Sequence, residues 1–405
     1  MGQDIAVTGI GLVTPGGIDA EATWATLCAG RSTARTETGP DGEPSHLACR
    51  VEESVRPTTG RHRRLDRSTG FLLPAAHEAL ATARLNPADW DPQRVAVIVG
   101  TAAGGVETLE DQHARLLSRG SRILSPLTLP AFLPNMAAGQ LSLELGATGP
   151  SLQTSTACAS GATAIITASL LLAAGACDIA VAGGTDAMVT PLCTAAFGKM
   201  GALSRRLDDP SAASRPFDRN RDGFVIAEGS GVLVLEHRAH AAARGVRPLA
   251  VLAGHGSTSD AHHPTAPDPA GTGLRAATAA ALTMAGGEPA DVDHINAYGT
   301  STLLNDGAEA AVIRTLHGRH NPSVTSAKGV LGHTMGAAGA IEAAVTVLTI
   351  GRGTVPPTAN HAAPDSGTEG LRLITRAPHR HPVRLALSHS LGFGGHNTVL
   401  ALAAP

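Results

Sequence analysis

This 405-residue sequence is short of rings, with six Phe, two Trp and a single Tyr, Tyr298, so its core must be filled by Ala, Val and Leu. Lysine is almost absent: only Lys199 and Lys328 stand among 31 basic residues. Cysteine is sparse. The five positions 28, 49, 158, 177 and 193 form neither a disulfide framework nor a zinc-binding spacing, which points to a reducing cytoplasm and no metal. No charge excess exists either. A formal net charge of -3 and a pI near 6.6 give no reason to propose nucleic acid or a membrane surface as a partner. Long hydrophobic runs are missing too. The opening "MGQDIAVTGIGLVTPGG" has no basic lead and is too short and Gly-broken for a signal peptide or a membrane span, so a soluble, untargeted protein is expected.

What remains is 43% hydrophobic residues and 47 Gly, the composition of a compact α/β enzyme, with length for two to three domains or one duplicated unit. Strand, turn and helix are predicted at Ile5 to Val13, Pro15 to Gly17 and Asp19 to Ala29, followed by a non-periodic surface excursion from Arg31 to Thr59. A helix through Phe71 to Arg84, a strand at Arg94 to Gly100 and a helix at Pro134 to Leu145 repeat the alternation. "GTAAGG" lacks the dinucleotide spacing. Cys177 to Ala187 is a buried strand. Two β segments split at Gly229 and Gly231 lead to a helix ending at Gly245. The pattern then restarts, with strands at Leu249 to His255 and Val292 to Ala297, helices at Gly271 to Ala285 and Leu303 to Leu316, and a closing β pair at Arg384 to Ser390 and Thr398 to Ala403. Halves 1–245 and 246–405 look like distant copies, each offering one small-residue turn and Ala-rich helix to a shared centre.

The turn "QTSTACASGATAIITASLLLAAG" delivers Cys158 to the start of an apolar helix. Unpaired N–H groups and the macrodipole there favour a thiolate near neutral pH, and the small neighbours leave room for a substrate and for backbone donors to a thioester oxygen. The same residue is also read as one more small buried apolar side chain. The turn alone does not separate the two.

Further motifs do. "TACASGA", "NAYGTSTLLND", "SAKGVLGHTMGAAGAIEA" and "GFGGHN", in that order and across essentially the whole chain, resemble the beta-ketoacyl-acyl-carrier-protein synthases, closest to the synthase II type and the type II polyketide ketosynthases. The resemblance implies a thiolase-like α/β fold, two similar halves in a five-layered α/β/α/β/α core, and a dimer, either homodimer or ketosynthase heterodimer. It implies an acyl carrier protein as donor, with no cofactor beyond the phosphopantetheine that the carrier brings. Cys158 would be the acylated nucleophile, its own N–H and that of Phe393 would be the oxyanion donors, and Phe393 with Gly394 would form the oxyanion gate. His333 would stabilise the extender's enolate oxygen, and Lys328 with Glu342 would complete the charge network. A compact ammonium in a tight site is not replaceable by a guanidinium fork, and a buried Glu342 needs a counter-ion. Thr265, Thr300 and Thr302 match positions along the phosphopantetheine tunnel, which makes the "AHHPT" histidines loop residues. Arg63, Arg64 and Arg206 match the carrier-docking surface, although the bland reading of "RHRRLDR" is a solvated face.

The chain departs from the family where Tyr298 stands in place of the second catalytic His. A phenol with pKa near 10 donates one hydrogen bond but cannot act as an imidazole base or carry positive charge near pH 7. Tyr298 either fills space while decarboxylation slows, or redirects the chemistry. Three functions therefore compete: a condensing enzyme using a malonyl-carrier extender; an acyltransferase passing the Cys158-bound acyl group to another nucleophile; and a non-catalytic partner resembling a chain-length factor, which the retained Cys158 argues against.

Overall fold

A computed structural model describes residues 5–38, 44–55 and 65–405. The first part of the chain runs β1 (Ile5–Val13), α1 (Ala20–Ala29), β2 (Arg35–Thr38), β3 (Pro44–Cys49), α2 (Arg67–Thr82), β4 (Val95–Gly100), α3 (Val106–Arg119), α4 (Thr128–Phe132) and α5 (Met136–Leu145). It continues through β5 (Ser151–Thr154), α6 (Ser160–Ala173), β6 (Ile179–Ala187), α7 (Pro191–Met200), β7 (Ile226–His237) and α8 (Arg238–Ala243). The remainder runs β8 (Ala250–Ser259), α9 (Thr272–Ala285), β9 (His294–Asn296), α10 (Leu303–His317), β10 (Ser323–Thr325), α11 (Lys328–Leu331) and α12 (Ala338–Arg352). Three short strands follow, β11 (Thr354–Val355), β12 (Arg372–Leu373) and β13 (His379–Arg380), before β14 (Leu385–Gly392) and β15 (His396–Ala403).

Strand order is β5-β4-β6-β7-β1 in the first part and β8-β15-β14-β9-β10-β12 in the second, joined where β1 pairs antiparallel with β8 from Ile5–Leu252 to Val7–Ala250. Each part keeps one sequence of senses outward from that seam: two antiparallel pairings, then parallel ones. Helices α6 and α12 pack on each other and against strands of both parts, α2 covers β1 and β7, and α9 covers β8 and β15. The result is the five-layered thiolase-like core. The apolar runs IAVTGIGLV and VAVIVG are buried along their whole length, as strands covered on both faces must be.

Glycine records the duplication. A Cβ at Gly9 or Gly11 would lie 2.0 or 1.9 Å from the carbonyl oxygens of Ala79 and Ala75 on α2; at Gly254 or Gly256 it would lie 2.2 or 2.0 Å from those of Ala281 and Ala277 on α9. One device, a Gly-x-Gly strand under an Ala-faced helix, thus brings each outer helix onto its sheet.

Two expectations fail. β7 is one continuous strand rather than two segments, because Gly231 serves close packing: a Cβ there would stand 2.6 Å from Ile341 N of α12. The stretch after Arg31 is not featureless, since β2 and β3 form a hairpin that pairs with β7 through Ala48–Ile226 and Cys49–Ala227. Among the described residues no helix is long and apolar enough to cross a membrane.

Candidate active site

After β5 the chain makes a tight turn in which Ala157 adopts a left-handed conformation (φ 49°) and Ser160 fastens both ends, donating to Ala157 O (2.6 Å) and accepting from Thr156 N–H (3.0 Å). Cys158 therefore sits two residues ahead of the first helical residue of α6, with the thiol buried. Burial pushes that thiol up to about 11; a hydrogen bond from the Tyr298 hydroxyl and the charge of Lys328 draw it the other way. The near-neutral thiolate expected from the helix start is thus not the resting state, because desolvation outweighs a helix terminus that begins beyond the residue. The backbone N–H groups of Cys158 and Phe393 border the same cavity, and neither has a protein acceptor among the described residues.

His333 is clamped to the start of β7, its N–H donating to Val225 O (2.8 Å) and its carbonyl accepting from Ala227 N–H (2.9 Å). Its Nδ1 accepts from Met335 N–H (3.3 Å), which leaves the ring proton on Nε2, 3.0 Å from Tyr298 Oη. Burial, then the nearby Lys328, hold the imidazole well below its ordinary pKa, so it acts as a neutral donor. Burial likewise raises the Tyr298 phenol well above 10, and the neighbouring Cys158 adds to the shift. His333 Nε2–H thus donates to Tyr298 Oη, and the same hydroxyl is the group that draws the Cys158 thiol down. Beneath it, Lys328 Nζ hydrogen-bonds Glu342 Oε1 and lies 4.4 Å from the centroid of the Tyr298 ring. Burial pushes Glu342 up to about 7 against the pull of that ammonium.

These groups open onto a cavity of about 360 Å³ lined by Cys158, Tyr298, His333 and Phe393, with Thr265, Thr300 and Thr302 along its wall. Met200, Leu303 and Leu304 form its mouth, each at least 50% exposed. All three expected tunnel threonines are brought together, and Thr300 and Thr302 share a 2.8 Å hydrogen bond. His263 Nδ1 accepts from the N–H groups of Thr265 and Ala266 (both 3.1 Å), a loop-capping role. Gly394, next to Phe393 at the gate, commits its N–H to Pro264 O (2.8 Å). Arg206 is half-buried, its guanidinium donating to Asn220 O (3.4 Å) in an exposed contact. Arg63 and Arg64 lie outside the described residues.

Sequence reasoning missed two buried acids. Asp186, at the end of β6, accepts from Thr101 Oγ1 (2.7 Å), Ala102 N–H (2.8 Å) and Gly336 N–H (2.7 Å), and burial pushes it up to about 6. It joins the turn after β4 to the turn that follows His333. Glu309 on α10 accepts from the N–H groups of Tyr298 and Gly299 (both 2.8 Å) and holds the loop that carries the phenol. Asp186 is the lone acid of the apolar run IAVAGGTDA, a signal that was available; Glu309 shares the polar helix LLNDGAEAAVIRTLH with Asp306 and carried no such signal.

Residues 2–241 match the beta-ketoacyl synthase N-terminal domain and residues 249–362 its C-terminal domain. The 3-oxoacyl-[acyl-carrier-protein] synthase 2 of Synechocystis sp. is 41% identical over 98% of this chain and 97% of its own, and that of Staphylococcus aureus (strain N315) 39% identical over the same shares. Among solved structures, a type II polyketide acyl-carrier protein in complex with its hexaketide-bound ketosynthase superposes with a TM-score of 0.93 at 31% identity, covering all of both chains. A beta-ketoacyl synthase from Burkholderia phymatum gives 0.93 at 32%, also over both full lengths. With family models matching both parts of the chain and relatives 41% and 39% identical over 98% of it, this chain belongs to the beta-ketoacyl synthases.

Proposed function

We propose that this chain is a beta-ketoacyl-carrier-protein synthase acting in fatty acid or type II polyketide assembly. Acyl-carrier thioester and Cys158 thiol exchange, so that the acyl–sulfur bond to the carrier breaks, the bond to Cys158 forms and the carrier thiol leaves with the proton. A malonyl-carrier then loses carbon dioxide; its enolate carbon attacks the Cys158 thioester, and Cys158 departs as thiolate to leave a beta-ketoacyl-carrier. The N–H groups of Cys158 and Phe393 would hold the thioester oxygen, and His333 Nε2–H the enolate oxygen. The phosphopantetheine arm would pass Thr265, Thr300 and Thr302. The observation that carries this reading is the convergence of Cys158, Tyr298 and His333 on one cavity above the Lys328–Glu342 pair.

Tyr298 stands, on this reading, where relatives use imidazole. Its hydroxyl serves twice: as donor to the sulfur before acylation, and as second donor to the enolate afterwards, because an acylated sulfur accepts hydrogen bonds poorly. A neutral phenol can stabilise an enolate but cannot supply positive charge, so decarboxylation is the slower half-reaction. The Tyr298 position also favours a second reading, in which the acyl group leaves Cys158 for a nucleophile other than the malonyl enolate.

The working unit is a dimer, with itself or with a chain-length-factor-like partner, and an acyl carrier protein docks at the cavity mouth; Arg63 and Arg64 are candidates for its basic landing patch. Domains 1–245 and 246–405 are supported by the repeated strand order and by family matches that break at the same place. Five free thiols support a cytoplasmic location. Intact-mass measurement tests the proposal: acyl-carrier must leave one acyl group on Cys158 and none on Cys158→Ala, and added malonyl-carrier must release carbon dioxide and a two-carbon-longer ketoacyl product. An acyl-enzyme that forms and never extends would sustain the acyltransferase reading instead.

A further inference from the structure

We infer that His389 is a positioning residue for Tyr298, acting through Glu309, an inference that rests on the catalytic reading of Tyr298 given above. His389 lies on β14, buried behind the active-site loop, and does not line the cavity. Its Nδ1–H donates to Glu309 Oε1 at 3.1 Å, while its Nε2 is buried without a partner. The ring's polar contact is therefore directed at one carboxylate. Glu309, itself fully buried, spends that oxygen on Tyr298 N–H as well (2.8 Å) and the other on Gly299 N–H (2.8 Å).

Three N–H donors thus hold one buried carboxylate, one from His389 and two from consecutive backbone positions, Tyr298 itself and Gly299 next to it. A buried carboxylate depends on such donors, because water is not there to replace them. Removing the imidazole strips Oε1 of a partner from behind and frees Glu309 to rotate away from the Tyr298–Gly299 backbone. On the far side that backbone is tied by Ser326 Oγ donating to Gly299 O (2.7 Å), so a loss at Glu309 turns the loop rather than unfolding it. The phenol amplifies the turn. Its oxygen lies at the tip of the longest side chain in the loop, 3.0 Å from His333 Nε2, where a shift on the order of 1 Å costs about 10²-fold in a positioned reaction.

The absence of other tyrosines supplies the assay. Protein made with tyrosine ¹³C-labelled at Cζ alone gives a single resonance, that of Tyr298, which reports where the phenol sits without reference to turnover. His389→Leu is expected to move that resonance and to lower kcat for carbon dioxide release from malonyl-carrier by about tenfold or more, with KM unchanged. His389→Asn, whose amide nitrogen falls where Nδ1 was, is expected to keep both near wild type. Should His389→Leu fail to fold, Glu309→Gln takes its place, since it retains shape while turning one acceptor into a donor that faces an N–H; it must produce the same shift and loss. An unmoved resonance overturns the inference, as does an Asn variant as impaired as the Leu variant. A moved resonance with unchanged carbon dioxide release supports the positioning role and removes Tyr298 from the decarboxylation step, so the two readings fail separately.

Discussion

Deleting one oxygen from the site separates the two roles given to Tyr298. In Tyr298→Phe the ring still packs against Lys328 and His333, but His333 Nε2–H loses its acceptor at 3.0 Å and Cys158 loses the hydroxyl that opposes its burial. The ground-state cost is that of one buried donor left unpaired, about 1–3 kcal/mol, which lowers stability without abolishing the fold. The transition-state cost is larger: a donor aimed at developing oxyanion charge is worth about 2.7–4 kcal/mol, or roughly 10²–10³ in rate. Carbon dioxide release from malonyl-carrier should therefore fall far more than stability does. The thiol, already pushed up to about 11, should titrate higher still, so that alkylation of Cys158 at neutral pH slows. Tyr298→His, which can add positive charge, should release carbon dioxide faster than the wild type. The expected order is His, then Tyr, then Phe. A Phe variant that matches the wild type in carbon dioxide release would reduce the phenol to a filler of space, and a His variant slower than the wild type would make it the better catalytic group in this pocket.

Lys328→Met should leave Glu342 buried without its counter-ion and destabilise the fold by about 3–5 kcal/mol, read from denaturant midpoints; the double change Lys328→Met, Glu342→Leu should regain most of that stability and none of the activity. Buried His294 and His317 are held down to about 3 and about 4 by desolvation. Folded pKa values below the ordinary 6.5 mean that their contribution is fully present above pH 6.5 and is lost as pH falls toward those values, by up to about 1.4 kcal/mol per unit for each ring. Replacing either ring by Gln should flatten the acid limb of a urea-midpoint series between those limits, and an unchanged limb would remove the ring from the account.

Much of the fold was legible because its strands and helices obey simple periods. The run IAVTGIGLV reads as a strand, Asp19 to Ala29 as a helix and Gly271 to Ala285 as another, and each was found within a residue of its expected limits. Gly229 and Gly231 misled for a physical reason: glycine marks both chain breaks and close packing, and only the presence of α12 above β7 tells which. The β2–β3 hairpin was hidden because its strands are short and polar and gain their order from pairing with β7. At the site, Cys158, His333, Lys328, Glu342 and the three threonines could be placed from motifs. Glu309 and Asp186 could not, since their work is to accept backbone N–H groups that only the folded loops bring to them. The pull of Tyr298 on Cys158 was also invisible, and it links the reactivity of the thiol to the phenol.

One consequence concerns the charge that arrives with the extender. The resting cavity holds a neutral His333, a neutral phenol and a protonated thiol, so Lys328 is the cation available to a malonyl carboxylate, and it is shared with Glu342. Glu342 is poised at about 7, its second oxygen buried without a partner. A second carboxylate brought into the same desolvated space raises that value further, since like charges disfavour each other's ionised forms. Near pH 7 the complex should therefore take up a fraction of a proton on Glu342 and release the ammonium to face the substrate. Calorimetry on Cys158→Ala with a succinyl-carrier, which presents a carboxylate and cannot lose it, reads this directly: the binding heat should depend on the ionisation enthalpy of the buffer, and the dependence should vanish in Cys158→Ala, Glu342→Gln. Heat that is the same in every buffer would mean that Lys328 stays paired with an ionised Glu342 throughout, leaving the extender's carboxylate to be held by hydrogen bonds alone.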